Sequence, residues 1–152
     1  MDKYKLLKSR IGMKFVRIGA MVRAIANQKF AKANYPITPE QFTVLTAILD
    51  HDGLYQRQIG ELTLKDRPNI TRIINILEGK GLVTRTPDIN KRKVIKINIT
   101  ENGKNAYNMV LPTVVEHWQN IIEGISDEEL QNCLNILNKV KSNLEDKLKI
   151  QI

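Results

Sequence analysis

Apolar residues recur along most of this chain at the three-and-four spacing of an amphipathic helix, and in one stretch they alternate instead. Leu7, Ile11, Phe15, Ile18, Val22 and Ile25 share one face of a first helix predicted over about 4–33. Lys5, Lys8, Arg10, Lys14, Arg17 and Arg23 fill most of its remainder. Tyr35-Pro36 ends it, because the residue before a proline avoids the helical region. Thr38-Pro39-Glu40-Gln41 opens a second helix. Thr38 can accept from the free first-turn N–H groups, Pro39 suits the first helical position, and Gln41 completes a capping box. Phe42, Leu45 and Leu49 form its inner face, with Asp52-Gly53 as its stop. A short third helix, about 56–63, turns Ile59 and Leu62 inward. Asp66 caps a fourth, about 67–80, striped by Ile70, Ile73, Ile74 and Leu77 and stopped by Gly79 and Gly81.

The period then becomes two. Residues 82–86 read as a strand, Pro87-Asp88-Ile89-Asn90 as turn chemistry, and 93–99 as a second strand with Ile95, Ile97 and Ile99 on one face. Thr100 caps a fifth helix, about 101–123, carrying Val110, Val114, Trp118, Ile121 and Ile122. Pro112 predicts a kink or break just before it. Ser126-Asp127-Glu128-Glu129 is a second capping box, opening a sixth helix faced by Leu130, Leu134, Leu137, Val140, Leu144 and Leu148.

The order of elements defines the fold class. It is mainly α with a small β-hairpin: a winged helix-turn-helix over 37–103, an N-terminal helical segment over 1–36 and C-terminal helices over 104–152. With 152 residues and no Gly/Ser linker, the pieces are expected to form one unit.

Charge changes the picture next. The chain carries 24 Lys and Arg against 16 Asp and Glu, a formal +8, which favours an anionic partner. The excess is local: residues 53–100 carry 10 basic against 4 acidic groups, and 101–152 carry 5 against 8. The basic, acid-poor start shares a bias with organellar transit peptides, but it lacks their serine enrichment and is strongly periodic, so it reads as a structural helix. The lone Cys133 excludes an internal disulfide, and two distant histidines, His51 and His117, make a poor metal set. No metal site and no cofactor is expected. No Gly-rich phosphate loop or nucleophile elbow points to an enzyme. No apolar run suits a membrane span, and the default location is cytoplasmic.

A helix of the fourth helix's width fits a DNA major groove, and its N-terminal turn suits phosphate. Opposite the apolar stripe lie Pro68, Arg72 and Asn75, flanked by Asn69 and Thr71. Arginine bonds guanine edges, asparagine adenine edges, and threonine a phosphate or a methyl. Lys65 and Arg67 sit where a phosphate strand would pass. Lys91, Arg92 and Lys93 form a basic hairpin tip able to reach backbone or minor groove. Each feature alone is also an ordinary solvated surface; their joint order points to double-stranded DNA. The competing reading is a winged-helix protein–protein module that reads no bases. A weaker one places the basic first helix on a membrane surface.

From Thr38 to about Gly103 the chain resembles the MarR family of winged-helix transcription regulators. The matching text is TPEQFTVLTAIL, QIGELTLKDRPNITRIINILEGKGLVTR and NKRKVIKINITENG. Thr71-Arg72 occupies the family's recognition-helix Thr-Arg, Glu78 to Val83 resembles its Glu-x-x-Gly-Leu-Val, and Ile99 to Gly103 its Leu-Thr-x-x-Gly. The family usually has Asp-x-Arg at the wing. Here Asn90 precedes Lys91-Arg92, and one extra residue before Thr100 suggests a bulge or altered register. Asp88 is the available substitute carboxylate. Leu62-Thr63-Leu64 replaces the small turn residue often found between the two helices.

The long apolar faces at both ends exceed what a domain of some 65 residues can cover, and exposing them forfeits about 25 cal/mol per Å². Leu7, Ile11, Phe15, Ile18, Leu134, Leu137, Leu144 and Leu148 are therefore the candidate homodimer contacts, the alternative being ends folded over their own core. The resemblance implies a repressor on a pseudo-palindrome, answering to a small anionic or phenolic effector or to a cysteine oxidant. Cys133, Met109 and Trp118 read as core residues, and His51 as a cation at a helix C-terminus.

Overall fold

In the computed structural model, which describes residues 3–51, 53–90 and 94–148, six helices and three strands follow one another. They are α1 Lys3–Lys32, α2 Pro39–Leu49, β1 Leu54–Tyr55, α3 Gln56–Thr63, α4 Arg67–Gly79, β2 Val83–Pro87, β3 Ile95–Ile99, α5 Glu101–Ile121 and α6 Asp127–Leu148.

The helix starts are where the capping residues place them. Thr38 and Gln41 form the expected reciprocal box, the Asp66 carboxylate accepts from Asn69 N at 2.9 Å, and Thr100 Oγ1 accepts from Gly103 N at 3.0 Å. Ser126 and Glu129 exchange the same pair of bonds at the head of α6. The ends are set by left-handed residues: Asn34 closes α1, Gly81 closes α4, and Leu64 closes α3 at φ +51°. A left-handed leucine is strained by its Cβ, which glycine would avoid. α2 stops at Leu49, ahead of the expected Asp52-Gly53; Asp52 itself lies outside the described residues. α5 runs unbroken through Pro112, so the predicted break is absent.

The sheet is larger than a hairpin. β1 pairs antiparallel with β3 on the side opposite β2, giving the order β1-β3-β2. The β2–β3 ladder is regular from Val83↔Ile99 to Pro87↔Ile95, and Asp88 N bonds Val94 O at 2.8 Å beyond it. The bulge inferred from the extra wing residue is therefore not in the paired strands.

The core lies between α2, α3, α4, the sheet and the first half of α5. Val44, Leu45, Ile59, Ile74, Leu77 and Val110 are fully buried there. Gly103 explains its own place in the pattern: a Cβ on it would lie 2.1 Å from the Leu82 carbonyl oxygen, so only glycine lets α5 start against β2. Phe30 meets Phe42 edge-on at 6.2 Å and Phe42 stacks on Tyr107 at 4.9 Å, tying the end of α1 and the start of α5 to α2.

Beyond that anchor the long helices leave the core. All eight candidate dimer contacts are exposed, and α6 buries no residue. Among the described residues, these faces of α1 and α6 are thus not folded into the chain's own core. Three expectations are corrected, since Met109, Cys133 and Trp118 are not core residues: Met109 is exposed on α5 off the buried line of Ala106 and Val110, Cys133 is exposed on α6, which buries nothing, and Trp118 is half exposed where α5 leaves the core.

Candidate nucleic-acid interface

α4 turns Ile70, Ile73, Ile74 and Leu77 into the core, so its opposite side faces away from the protein. Arg67, Pro68, Asn69, Arg72 and Asn75 are exposed there, and Thr71 is half-buried. Arg67, Pro68, Thr71, Arg72, Asn75 and Ile76 line one shallow depression on this side. The turn from α3 into α4 carries Lys65 beside it. Lys91, Arg92 and Lys93 lie outside the described residues.

Several of these side chains are already held. Thr71 Oγ1 donates to Arg67 O at 2.8 Å and accepts from Gln56 Nε2 at 2.6 Å, which leaves its methyl as the free group and couples α3 to α4. Lys65 Nζ donates to Glu40 Oε1 at 2.9 Å, and Arg72 Nη2 stands 3.7 Å from Glu40 Oε2. The Lys65 hydrogen bond, aided by the charges of Lys65, Arg72 and Arg23, holds the Glu40 carboxyl below its ordinary range against some desolvation. Arg85 of β2 donates to Asn75 Oδ1 at 2.7 Å and pairs with Glu78. At the wing's base Asp88 is buried; it accepts from the Tyr55 hydroxyl and, at 3.0 Å, from Asn90 N. That bond raises the Tyr55 phenol above its ordinary value, since losing the proton would put two anions together.

The sequence alone assigns Glu40, Gln56 and Arg85 no part in this surface. Glu40 lies within the Thr38–Gln41 cap, Gln56 at a helix start and Arg85 in a strand; their partners are 7 to 32 positions away, on other elements.

A second feature lies where α1, α2 and α5 meet. A crevice of about 460 Å³ runs between Val22, Phe30, Phe42, Thr46, His117 and Trp118, with Lys29, Asp50 and His51 also lining it. His117 is buried, and its Nε2 has no hydrogen-bond partner among the described residues. Among those residues no helix is long and apolar enough to cross a membrane.

The comparisons with known proteins agree with this geometry. The model of the MarR family matches residues 35–93, from the end of α1 to the wing. The uncharacterized regulator YybA of Bacillus subtilis is 28% identical over 131 residues, covering 84% of this chain and 86% of its own. The HTH-type transcriptional regulator SarZ of Staphylococcus epidermidis is 32% identical over 112 residues, covering 73% and 74%. The S. aureus MepR–DNA complex superposes with a TM-score of 0.77 at 25% identity, over 87% of this chain and 96% of that one. These relatives are regulators rather than enzymes, and the matches span 73–87% of this chain. The chain belongs to the MarR family of winged-helix, DNA-binding transcription regulators.

Proposed function

We propose that the protein is a sequence-specific repressor that binds a pseudo-palindromic duplex as a homodimer and releases it when a small molecule occupies the crevice. The observation that carries the reading is the outward side of α4. It is polar, basic, concave and uncovered, while the opposite side is fully buried. Arg67, Pro68, Asn69, Thr71, Arg72 and Asn75 enter a major groove. Lys65 contacts the backbone, and Lys91, Arg92 and Lys93 reach it from the wing. The exposed faces of α1 and α6 pair with a second copy, so that 1–36 and 104–152 serve as dimerisation segments around the domain of 37–103. A twofold axis then presents the two α4 helices to successive grooves, roughly 34 Å apart. The working location is the cytoplasm.

The crevice suits a small, largely apolar effector with one polar group to satisfy His117 Nε2. It lies between the terminal helices and the domain, so an effector that fits one lobe spacing better than another shifts DNA affinity by that difference. Trp118, the chain's single tryptophan, lines it and serves as a reporter. Phenols and aromatic acids should quench it and weaken DNA binding together.

The test is fluorescence anisotropy on a selected duplex. Arg72→Ala combined with Arg92→Ala should weaken binding by about tenfold or more, and binding should decline steeply with salt. Unchanged affinity and a flat salt profile would instead favour a protein–protein module.

A further inference from the structure

Asn75 and Arg85 meet across the angle between α4 and β2, and their chemistry fixes which way the Asn75 amide points. Arg85 Nη2 lies 2.7 Å from Asn75 Oδ1, while Nη1 pairs with the Glu78 carboxylate. A guanidinium only donates, so the amide must turn its oxygen toward Arg85. Its NH₂ group is left as the outward half. The Arg85 side chain is three-quarters covered, at 25% exposure, and is held by Glu78, whereas Asn75 is exposed in the depression on the outer side of α4.

The two purines ask different things of such an amide. Adenine presents an acceptor and a donor, N7 and N6, and takes both halves of an asparagine. Guanine presents two acceptors, N7 and O6. Adenine N6 would have to share an oxygen already engaged by a cation; guanine needs only the free NH₂. We propose that Arg85 is a positioning residue that sets Asn75 as a hydrogen-bond donor, so that Asn75 selects guanine over adenine in the major groove. The inference rests on α4 lying in that groove.

Selection of binding sites from a randomised duplex pool tests it, using the full chain. Asn75→Asp keeps an oxygen for Arg85 but removes both N–H donors, so it identifies the base pair that Asn75 reads as the one whose preference it abolishes. The wild-type chain should hold guanine there, about tenfold or more over adenine. Arg85→Met frees the amide and should move the preference to adenine. Adenine in the wild-type site, an unchanged profile in Asn75→Asp, or guanine retained by a folded Arg85→Met protein would each overturn the assignment. If Arg85→Met does not fold, Arg85→Ala is read in its place, and guanine retained there overturns the assignment in the same way. A wild-type chain that selects no sequence removes the groove reading itself, and this inference with it; adenine in a selected site removes only the inference.

Discussion

Ile70, Ile73, Ile74 and Leu77 of α4 are at most 1% exposed, whereas Leu134, Leu137, Leu144 and Leu148 of α6 are 41–59% exposed. Both sets repeat at helical spacing and both are fully apolar. They differ in what lies within reach. α4 has α2, α3 and the sheet packed around it, and α6 has no comparable neighbour among the described residues. Helical periodicity says that a face needs covering but not what covers it, and the unmet requirement in α1 and α6 is the physical reason to expect a second copy.

Substitutions at matched positions break this contrast most sharply. Ile74→Ala should cost about 2–5 kcal/mol by chemical unfolding, because a fully buried side chain leaves a cavity as well as lost transfer energy. Leu137→Ala should leave the domain's own stability unchanged and alter only the concentration-dependent part of the transition. Equal losses independent of concentration would mean that α6 belongs to the chain's own core.

Gly103→Ala tests the joint between the two regions. Its methyl meets a backbone carbonyl, so α5 must shift away from β2, at a cost of about 1–3 kcal/mol or more in the melting transition. Leu64→Gly goes the other way. Relief of the left-handed strain, about 1–2 kcal/mol, exceeds the added chain entropy, so melting should rise slightly.

The smallest effect is at Glu40. Its carboxyl is held below the ordinary range, so its contribution is present at neutral pH and is lost as pH falls through that lowered value. The pair is half exposed on the glutamate side, and contributes about 0–1 kcal/mol at most. Glu40→Gln should therefore flatten the acid limb of the stability profile a little and leave the alkaline limb alone.

The parts of the fold legible from sequence are those encoded within a few residues. Thr38, Asp66, Thr100 and Ser126 mark helix starts because a cap and its N–H partner are three positions apart. Gly81 marks an end because its backbone is left-handed. β1 was illegible because it has two residues and exists only through pairing with β3 some 40 positions later. Trp118 departs from its expected core place because the apolar line of α5 begins in the core at Val110 and continues past it. At the site, the outward residues of α4 followed from its stripe. The Glu40, Gln56 and Arg85 partners did not, since they arise only when separate elements meet.

The central claim is that two copies of α4 lie in successive major grooves of one duplex. A hydroxyl-radical footprint of the full chain on its selected site tests this most directly. Two protected tracts, related by a twofold axis and centred about 10 base pairs apart, are expected. A single tract, or uniform protection without sequence preference, would contradict it.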